Sequence, residues 1–253
     1  MPTGHVFFAF HFINCYEKDG EVAVDLMTYN KPFYEDLTLE NFRKSGAIQQ
    51  DMVRVGSRRS EATAANRHLY TNHPSPTRFA HALQFTNTDP KVRRYTFGVA
   101  NAGRSTTESV GGGKKGGWEE RVGAAKLDVI YEGVCELPTI DYDRKNAKDY
   151  TFVYGLESGK FEGTEGLIKI NVKTKETWFW QNPDCSPGEP IFVKDTLSEE
   201  EDGGCVLSVV FDREKDVSFL LTLDGKSFKE LARNYCGHHI PPGLHGTFVT
   251  SKK

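Results

Sequence analysis

The chain has 253 residues, of which 38% are hydrophobic and 12% aromatic, and its formal net charge at pH 7 is −3. This composition is sufficient for a globular core, and the absence of a general basic field predicts no nucleic-acid partner. No apolar run reaches the about 20 residues that a membrane-spanning helix requires.

The cysteine content argues against a disulfide or zinc framework. The chain has five cysteines, an odd number, and no C-x-x-C pair. Frameworks of either kind normally show paired cysteines at short, regular spacing. We therefore predict reduced thiols, most of them buried.

Short segments with β-strand patterns, separated by turn residues, dominate the sequence. Val6–Phe12 is the first, and Glu21–Leu26 follows a predicted hairpin turn at Lys18–Gly20 with the alternation of a half-buried strand. Further strands are predicted at Arg78–Phe85, Val92–Val99, Lys126–Val134, Tyr150–Tyr154, Gly166–Val172, Thr177–Trp180, Cys205–Phe211 and Ser218–Leu223. Strands of this length and spacing indicate an all-β fold, such as a sandwich, a barrel or a propeller.

Little of the sequence has a helical pattern. Thr38–Lys44 has an N-cap candidate and a following glycine, and Lys226–Arg233 could form a single turn. Residues 54–76 and 101–117 are polar or glycine-rich, and we expect flexible insertions there. The segment GGGKKGG in the second insertion lacks the Ser or Thr and the following helix that a phosphate-binding loop needs.

The histidines are the first candidates for chemistry, although none shows the H-x-x-x-H or H-E-x-x-H spacing of a local metal site. Taken alone, His11 and His245 could be ordinary core or surface residues, or ligands brought together by the fold. Glu136 could equally be an exposed strand end, and Glu189 a solvated turn residue.

Ordered motifs along the chain resemble the carotenoid cleavage oxygenase family, in particular its animal β-carotene oxygenase and retinoid isomerohydrolase subgroup. The resemblance covers the C-terminal half of such proteins. FHFINCYE resembles the family's F-H-x-hydrophobic-N strand motif, and IPPGLHGTF resembles the C-terminal motif that ends in H-G-x-F. The matching segments are Phe10–Glu17, Leu37–Gly46, Glu136–Gly155, Ser186–Val193 and Ile240–Phe248.

The resemblance implies a metal site. Family members are seven-bladed β-propellers that hold Fe(II) on the axis with four histidines, and His11 and His245 match two of these ligands. Glu136 matches the glutamate that orients His11, and Glu189 the one that orients His245. A carboxylate that accepts from the far ring nitrogen fixes a ligand imidazole and raises its basicity. We expect residues 1–253 to form one domain, the C-terminal blades of an incomplete propeller.

The implied activity is oxidative cleavage of a polyene C=C bond by O2 at non-haem Fe(II), giving apocarotenoids, as in β,β-carotene 9′,10′- or 15,15′-dioxygenases. Carotenoid or retinoid substrate and O2 are the expected partners, with peripheral membrane contact. The alternatives are a retinoid isomerohydrolase-like enzyme and a non-catalytic fragment that binds carotenoid.

The two remaining family histidines have no counterpart in this sequence, which begins just before the third. We therefore expect a fragment or truncated product. Two histidines leave most coordination positions to water, so we expect weak Fe(II) binding and poor positioning of O2 and polyene. The expected location is the cytoplasm, or mitochondria if a further N-terminal segment exists.

Overall fold

The computed structural model of the protein describes residues 7–32, 89–98, 125–158, 165–241 and 243–250. These ranges contain thirteen β-strands and one helix of four residues, which confirms the predicted all-β class. The strands form three sheets, and all strand pairs are antiparallel.

Four predicted features lie outside the described residues. They are the helix Thr38–Lys44, the strand Arg78–Phe85, and the insertions at 54–76 and 101–117.

The first sheet is a meander in which each strand pairs with the next. Its strands are β1 (Phe8–Lys18), β2 (Glu21–Tyr29), β3 (Lys91–Gly98) and β4 (Lys126–Glu132). The predicted hairpin turn is confirmed: Asp19 and Gly20 have φ angles of 53° and 76°, as a tight turn between twisted antiparallel strands requires.

The second sheet has the same plan, and the only helix in the described ranges, α1 (Tyr142–Lys145), follows its first strand. Its strands are β5 (Glu136–Thr139), β6 (Phe152–Ser158), β7 (Glu165–Asn171) and β8 (Thr177–Gln181). A tight turn that includes Lys173–Lys175 connects β7 to β8.

The third sheet again follows chain order and adds one short strand. Its strands are β9 (Cys185–Pro187), β10 (Ile191–Lys194), β11 (Gly204–Asp212), β12 (Val217–Asp224) and β13 (Glu230–Tyr235). Both β9 and β10 pair with β11, at opposite ends of that longer strand. The predicted strands Cys205–Phe211 and Ser218–Leu223 are confirmed as parts of β11 and β12, which form a hairpin with its turn at residues 213–216.

The second sheet is buried on both faces, and it therefore contributes to two cores. Successive residues of each strand point to opposite sides of the sheet. In β7, Ile168 and Ile170 belong to a core shared with Met27 and Tyr29 of the first sheet. Leu167 belongs to a second core, shared with Phe219 of the third sheet. Burial on both sides explains why apolar residues of this strand occur at both odd and even positions, at Leu167, Ile168 and Ile170.

Lys169 is a charged residue in this doubly covered strand, and its side chain points towards the third sheet. Its ammonium donates to Asp202 at 2.7 Å and to the carbonyl oxygens of Gly225 at 2.8 Å and Lys226 at 2.9 Å. Burial lowers the pKa of Lys169, while the Asp202 carboxylate opposes that shift. All three hydrogen-bond donors of the ammonium are therefore used to hold the second sheet to loops of the third.

Asp25 is a completely buried carboxylate of the first sheet and has two partners. The Arg94 guanidinium donates to both of its oxygens, from Nε at 2.7 Å and from Nη2 at 2.6 Å. The Tyr150 hydroxyl, from the segment before β6, donates to Oδ2 at 2.6 Å. A buried charge that is held in this way stabilises the fold only while its partners remain.

Several sequence-based assignments are wrong or incomplete. Lys226–Arg233 was expected to form a helical turn, but Glu230–Tyr235 is a strand, because these residues complete the edge of the third sheet against β12. The strands β5, β9 and β10 were not predicted, since they have only three or four residues and lack an alternating pattern.

The five cysteines are all free thiols, in agreement with the absence of a disulfide framework. Only Cys135 and Cys185 are buried, so the prediction that most of them are buried is wrong. Cys15 is exposed because the alternation of β1 points Asn14 and Tyr16 inward instead. Burial raises the pKa of Cys185 to about 11.

A search of the described residues finds no helix with the length and apolar character needed to cross a bilayer.

Replacing Arg94 with methionine should destabilise the protein strongly. The substitution keeps much of the side-chain volume but leaves the buried Asp25 without its cation, and breaking such a pair costs about 3 kcal/mol. Urea unfolding measures this loss. The matched control is Lys126→Met, because Lys126 pairs with Glu21 on the exposed surface of the same sheet. This control should change stability by about 0–1 kcal/mol. Equal losses in the two variants would contradict the importance of the buried pair.

Candidate metal centre

His11 lies in an irregular part of β1. The pairing of β1 with β2 shifts register between Ala9 and Phe12, and again between Phe12 and Asn14. Such irregularities bend a strand and redirect its side chains, and they are common beside functional sites. The His11 ring, which contacts Phe10 edge-on at a centroid distance of 4.5 Å, is mostly shielded from solvent.

Glu136 begins β5 and contacts the His11 ring at its Nδ1 atom. It is buried, and one carboxylate oxygen, Oε2, contacts His11 Nδ1 while the other, Oε1, accepts from the Tyr29 hydroxyl. The next residue, Leu137, has a φ of 47°, in the left-handed region that a leucine rarely adopts. Backbone strain of this kind persists only where surrounding contacts impose it, and it concentrates at functional sites.

His245 is held in a segment without regular secondary structure, and Glu189 makes the contacts that fix it. Glu189 precedes β10, and its Oε1 lies 2.8 Å from His245 Nδ1. Its Oε2 accepts from the backbone N–H of Gly246 at 2.6 Å. One carboxylate therefore binds both the ring and the backbone next to it.

The two histidines meet although more than 200 residues separate them in the sequence. Their ring centroids lie 5.5 Å apart and the ring planes are inclined at 84°. An ionised carboxylate only accepts hydrogen bonds, so a neutral imidazole beside it carries its proton on Nδ1 and keeps the lone pair on Nε2. Each ring is thereby prepared as a ligand through Nε2.

Tyr29 is the residue at this site that sequence reasoning missed. It ends β2 and is completely buried. Burial first, and the neighbouring Glu136 carboxylate second, raise the pKa of Tyr29 far above its ordinary value. Its hydroxyl therefore remains a donor at physiological pH. The predicted strand Glu21–Leu26 stops short of Tyr29, and nothing in the sequence indicates the contact of Tyr29 with Glu136, 107 positions away.

The donor set fits a transition metal. Imidazole nitrogens suit iron, zinc and copper, and carboxylates that accept from the far nitrogen are typical supports of such ligands. Among the residues whose structure is described, no group of three or more His, Cys, Asp or Glu side chains is arranged to hold a metal. His11 and His245 would thus supply two ligands, with the other positions open to other donors. Metal binding itself stays a prediction.

The aromatic residues that flank His11 in β1 differ in their exposure to solvent. Tyr16 is buried in the core, whereas Phe10 and Phe12 are exposed at 44% and 67%. Trp178 and Trp180 lie in another region and contact the core between the second and third sheets.

Comparisons with known proteins match this chain to one group of related proteins. The family model described as retinal pigment epithelial membrane protein matches residues 1–250. The mitochondrial carotenoid-cleaving dioxygenase of Mustela putorius furo is 33% identical over 96% of this chain and 42% of its own length. The β,β-carotene 15,15′-dioxygenase of Gallus gallus is 31% identical over 95% of this chain and 40% of its own length.

Solved structures share the fold. Cobalt-substituted Synechocystis apocarotenoid oxygenase superposes with a TM-score of 0.62 at 19% identity, covering 96% of this chain and 40% of that one. A chimera of that oxygenase with the retinal pigment epithelial protein gives a TM-score of 0.60 at 19% identity, with the same coverage.

The chain spans about 40% of the length of the relatives it matches. The match to the family model, in contrast, extends over nearly the whole of this chain and confirms the family indicated by the motifs. The chain therefore belongs to the retinal pigment epithelial membrane protein family, which includes the carotenoid-cleaving dioxygenases.

Proposed function

We propose that this chain provides two histidine ligands of a non-haem Fe(II) centre for the oxidative cleavage of a carotenoid. In the proposed reaction, one C=C bond of the polyene and the O–O bond of O2 break, and two C=O bonds form. The products are two carbonyl compounds, and no proton or external reductant is consumed.

One observation carries this proposal. His11 and His245 lie side by side, and each has its Nδ1 atom engaged by a glutamate. Surface or core histidines have no need for such symmetric support, whereas two ligands of one metal do. Both glutamate side chains are largely buried against a histidine, which argues against an exposed strand end for Glu136 and a solvated turn residue for Glu189.

The protein residues have a positioning role. His11 and His245 would hold Fe(II) through Nε2, while the glutamates keep the Nδ1 protons in place and raise the basicity of both rings. When bound, Fe(II) supplies the activation of O2 that cleavage of a C=C bond requires. No side chain has to act as a general acid or base in this reaction.

The substrate proposal rests on the relatives and on the surroundings of the histidines. The relatives named above are carotenoid-cleaving enzymes, which favours cleavage over isomerohydrolase activity. Phe10 and Leu244 adjoin the two histidines in sequence and are 44% and 64% exposed. Accessible apolar side chains beside the rings suit contact with a polyene.

The same proposal extends to architecture and location. We infer that the three sheets are C-terminal blades of a seven-bladed propeller. The arrangement of the site supports this inference. β1 and β5, which carry His11 and Glu136, are each the first strand of a sheet, and Glu189 directly precedes β10.

The mitochondrial names of the relatives favour mitochondria over the cytoplasm. Peripheral contact with a membrane remains part of the proposal.

Iron binding should depend on both histidines. His11→Ala and His245→Ala are each expected to abolish Fe(II) binding, measured as iron content after anaerobic reconstitution and desalting. His239→Ala is the control, because His239 contacts Phe211 of β11 and should leave binding unchanged. An unchanged iron stoichiometry in both ligand variants would rule out the assignment.

Glu136 and Glu189 should increase the affinity for Fe(II) through their negative charge. Glu136→Gln and Glu189→Gln retain an acceptor for Nδ1–H but lose the negative charge, so Fe(II) affinity should fall by about 10-fold to 100-fold. Anaerobic competition with a chromogenic chelator measures the affinity. Glu132→Gln, which removes a charge at an exposed position, is the control. Wild-type affinity in both site variants would refute the orienting role.

Carbonyl products should form when the iron-loaded protein is incubated with β-carotene in detergent under ¹⁸O2. Two ligands position the reactants poorly, so we expect slow formation of apocarotenoids that carry ¹⁸O, and none from His245→Ala. Chromatography with mass spectrometry identifies them. Carotenoid that is bound but unchanged would contradict cleavage and favour a binding protein, and isomerised retinol from a retinyl ester would favour the isomerohydrolase.

A further inference from the structure

The two glutamates of the site are held in the same way, although by different donors. In each carboxylate, one oxygen faces Nδ1 of a histidine and the other oxygen accepts from a second group. For Glu189 the second donor is the backbone N–H of Gly246. For Glu136 it is the side-chain hydroxyl of Tyr29, from a different sheet.

A second anchor matters because a glutamate side chain is flexible. Rotation about its three side-chain bonds would turn the carboxylate away from the imidazole if a single hydrogen bond held it. A buried carboxylate oxygen also needs a donor, since burial without one is unfavourable. At Glu136, the Tyr29 hydroxyl meets both requirements.

We propose that Tyr29 is a positioning residue of the metal centre. Its hydroxyl fixes the Glu136 carboxylate so that Oε2 accepts from His11 Nδ1, which keeps His11 in the tautomer with a free Nε2. The proposal rests on the iron site proposed above for its function, but the effect on the tautomer of His11 exists without metal.

The role of the Tyr29 hydroxyl can be tested separately from the packing role of its ring. Tyr29 is fully buried and packs against Phe8 at a centroid distance of 6.3 Å, so the ring also belongs to the core. Tyr29→Phe retains that packing and removes only the oxygen. The chain also offers a close match for comparison, because the fully buried Tyr150 donates to the buried carboxylate of Asp25, away from the two histidines.

The experiment compares Tyr29→Phe with Tyr150→Phe in two measurements. Long-range ¹H–¹⁵N spectra of metal-free protein with labelled histidine report the tautomer of His11, assigned by comparison with His11→Ala. Anaerobic chelator competition reports Fe(II) affinity. Tyr29→Phe should convert His11 from the Nδ1–H form to a mixture of tautomers and weaken Fe(II) binding about tenfold. Tyr150→Phe should leave both measurements at wild-type values, whatever its effect on stability.

A double-mutant comparison tests whether Tyr29 acts through Glu136. On the Glu136→Gln background, Tyr29→Phe should weaken Fe(II) binding by much less than tenfold, because interacting residues are not additive. A full tenfold loss of Fe(II) affinity on that background would contradict the proposal that Tyr29 acts through Glu136.

Each remaining result decides the question. An unchanged His11 spectrum in Tyr29→Phe, or equal changes in both tyrosine variants, would overturn the proposal. If wild-type protein binds no Fe(II), the iron proposal fails, and the spectrum of metal-free His11 still tests the effect of Tyr29.

If Tyr29→Phe does not fold, 3-fluorotyrosine incorporated at position 29 replaces it. That stronger donor should shift the His11 Nδ1 resonance, and no shift would overturn the proposal.

Discussion

The hydrogen bond from a histidine Nδ1 atom to a glutamate carboxylate is the interaction on which the proposed function depends. An imidazole can bind a metal only through a nitrogen without a proton, and a carboxylate on the far side determines which nitrogen that is. This chain makes the interaction twice, at His11 with Glu136 and at His245 with Glu189. The fold has to bring these four side chains together from distant parts of the sequence.

Three sheets achieve this together with the segment after β13, which carries His245. His11 lies on β1, Glu136 opens β5, and Glu189 directly precedes β10. The doubly covered second sheet holds the arrangement together through two apolar cores and the buried ammonium of Lys169. The backbone is also irregular in β1 and at Leu137, beside the histidine–carboxylate pair, where the side chains leave the regular alternation.

Local patterns in the sequence predicted the parts of the fold that have local causes. The β1–β2 hairpin depends on neighbouring residues and was predicted correctly. The half-buried alternation expected for Glu21–Leu26 fails at Asp25 and Leu26, which are both buried, because Arg94 and Tyr150 pair with Asp25 across the fold. The short strands β5, β9 and β10 form only because longer partners pair with them, and β13 depends in the same way on β12. The four site residues were indicated only by family motifs, while Tyr29 belongs to no motif and contacts Glu136 across the fold.

The central claim is that His11 and His245 bind one iron ion through Nε2. Crystals grown anaerobically with Fe(II), with diffraction data collected on both sides of the iron absorption edge, test it most directly. We predict a single anomalous peak within bonding distance of Nε2 of both histidines, with Glu136 and Glu189 still at Nδ1. No peak between the rings, or a peak that contacts only one of the two histidines, would contradict the claim.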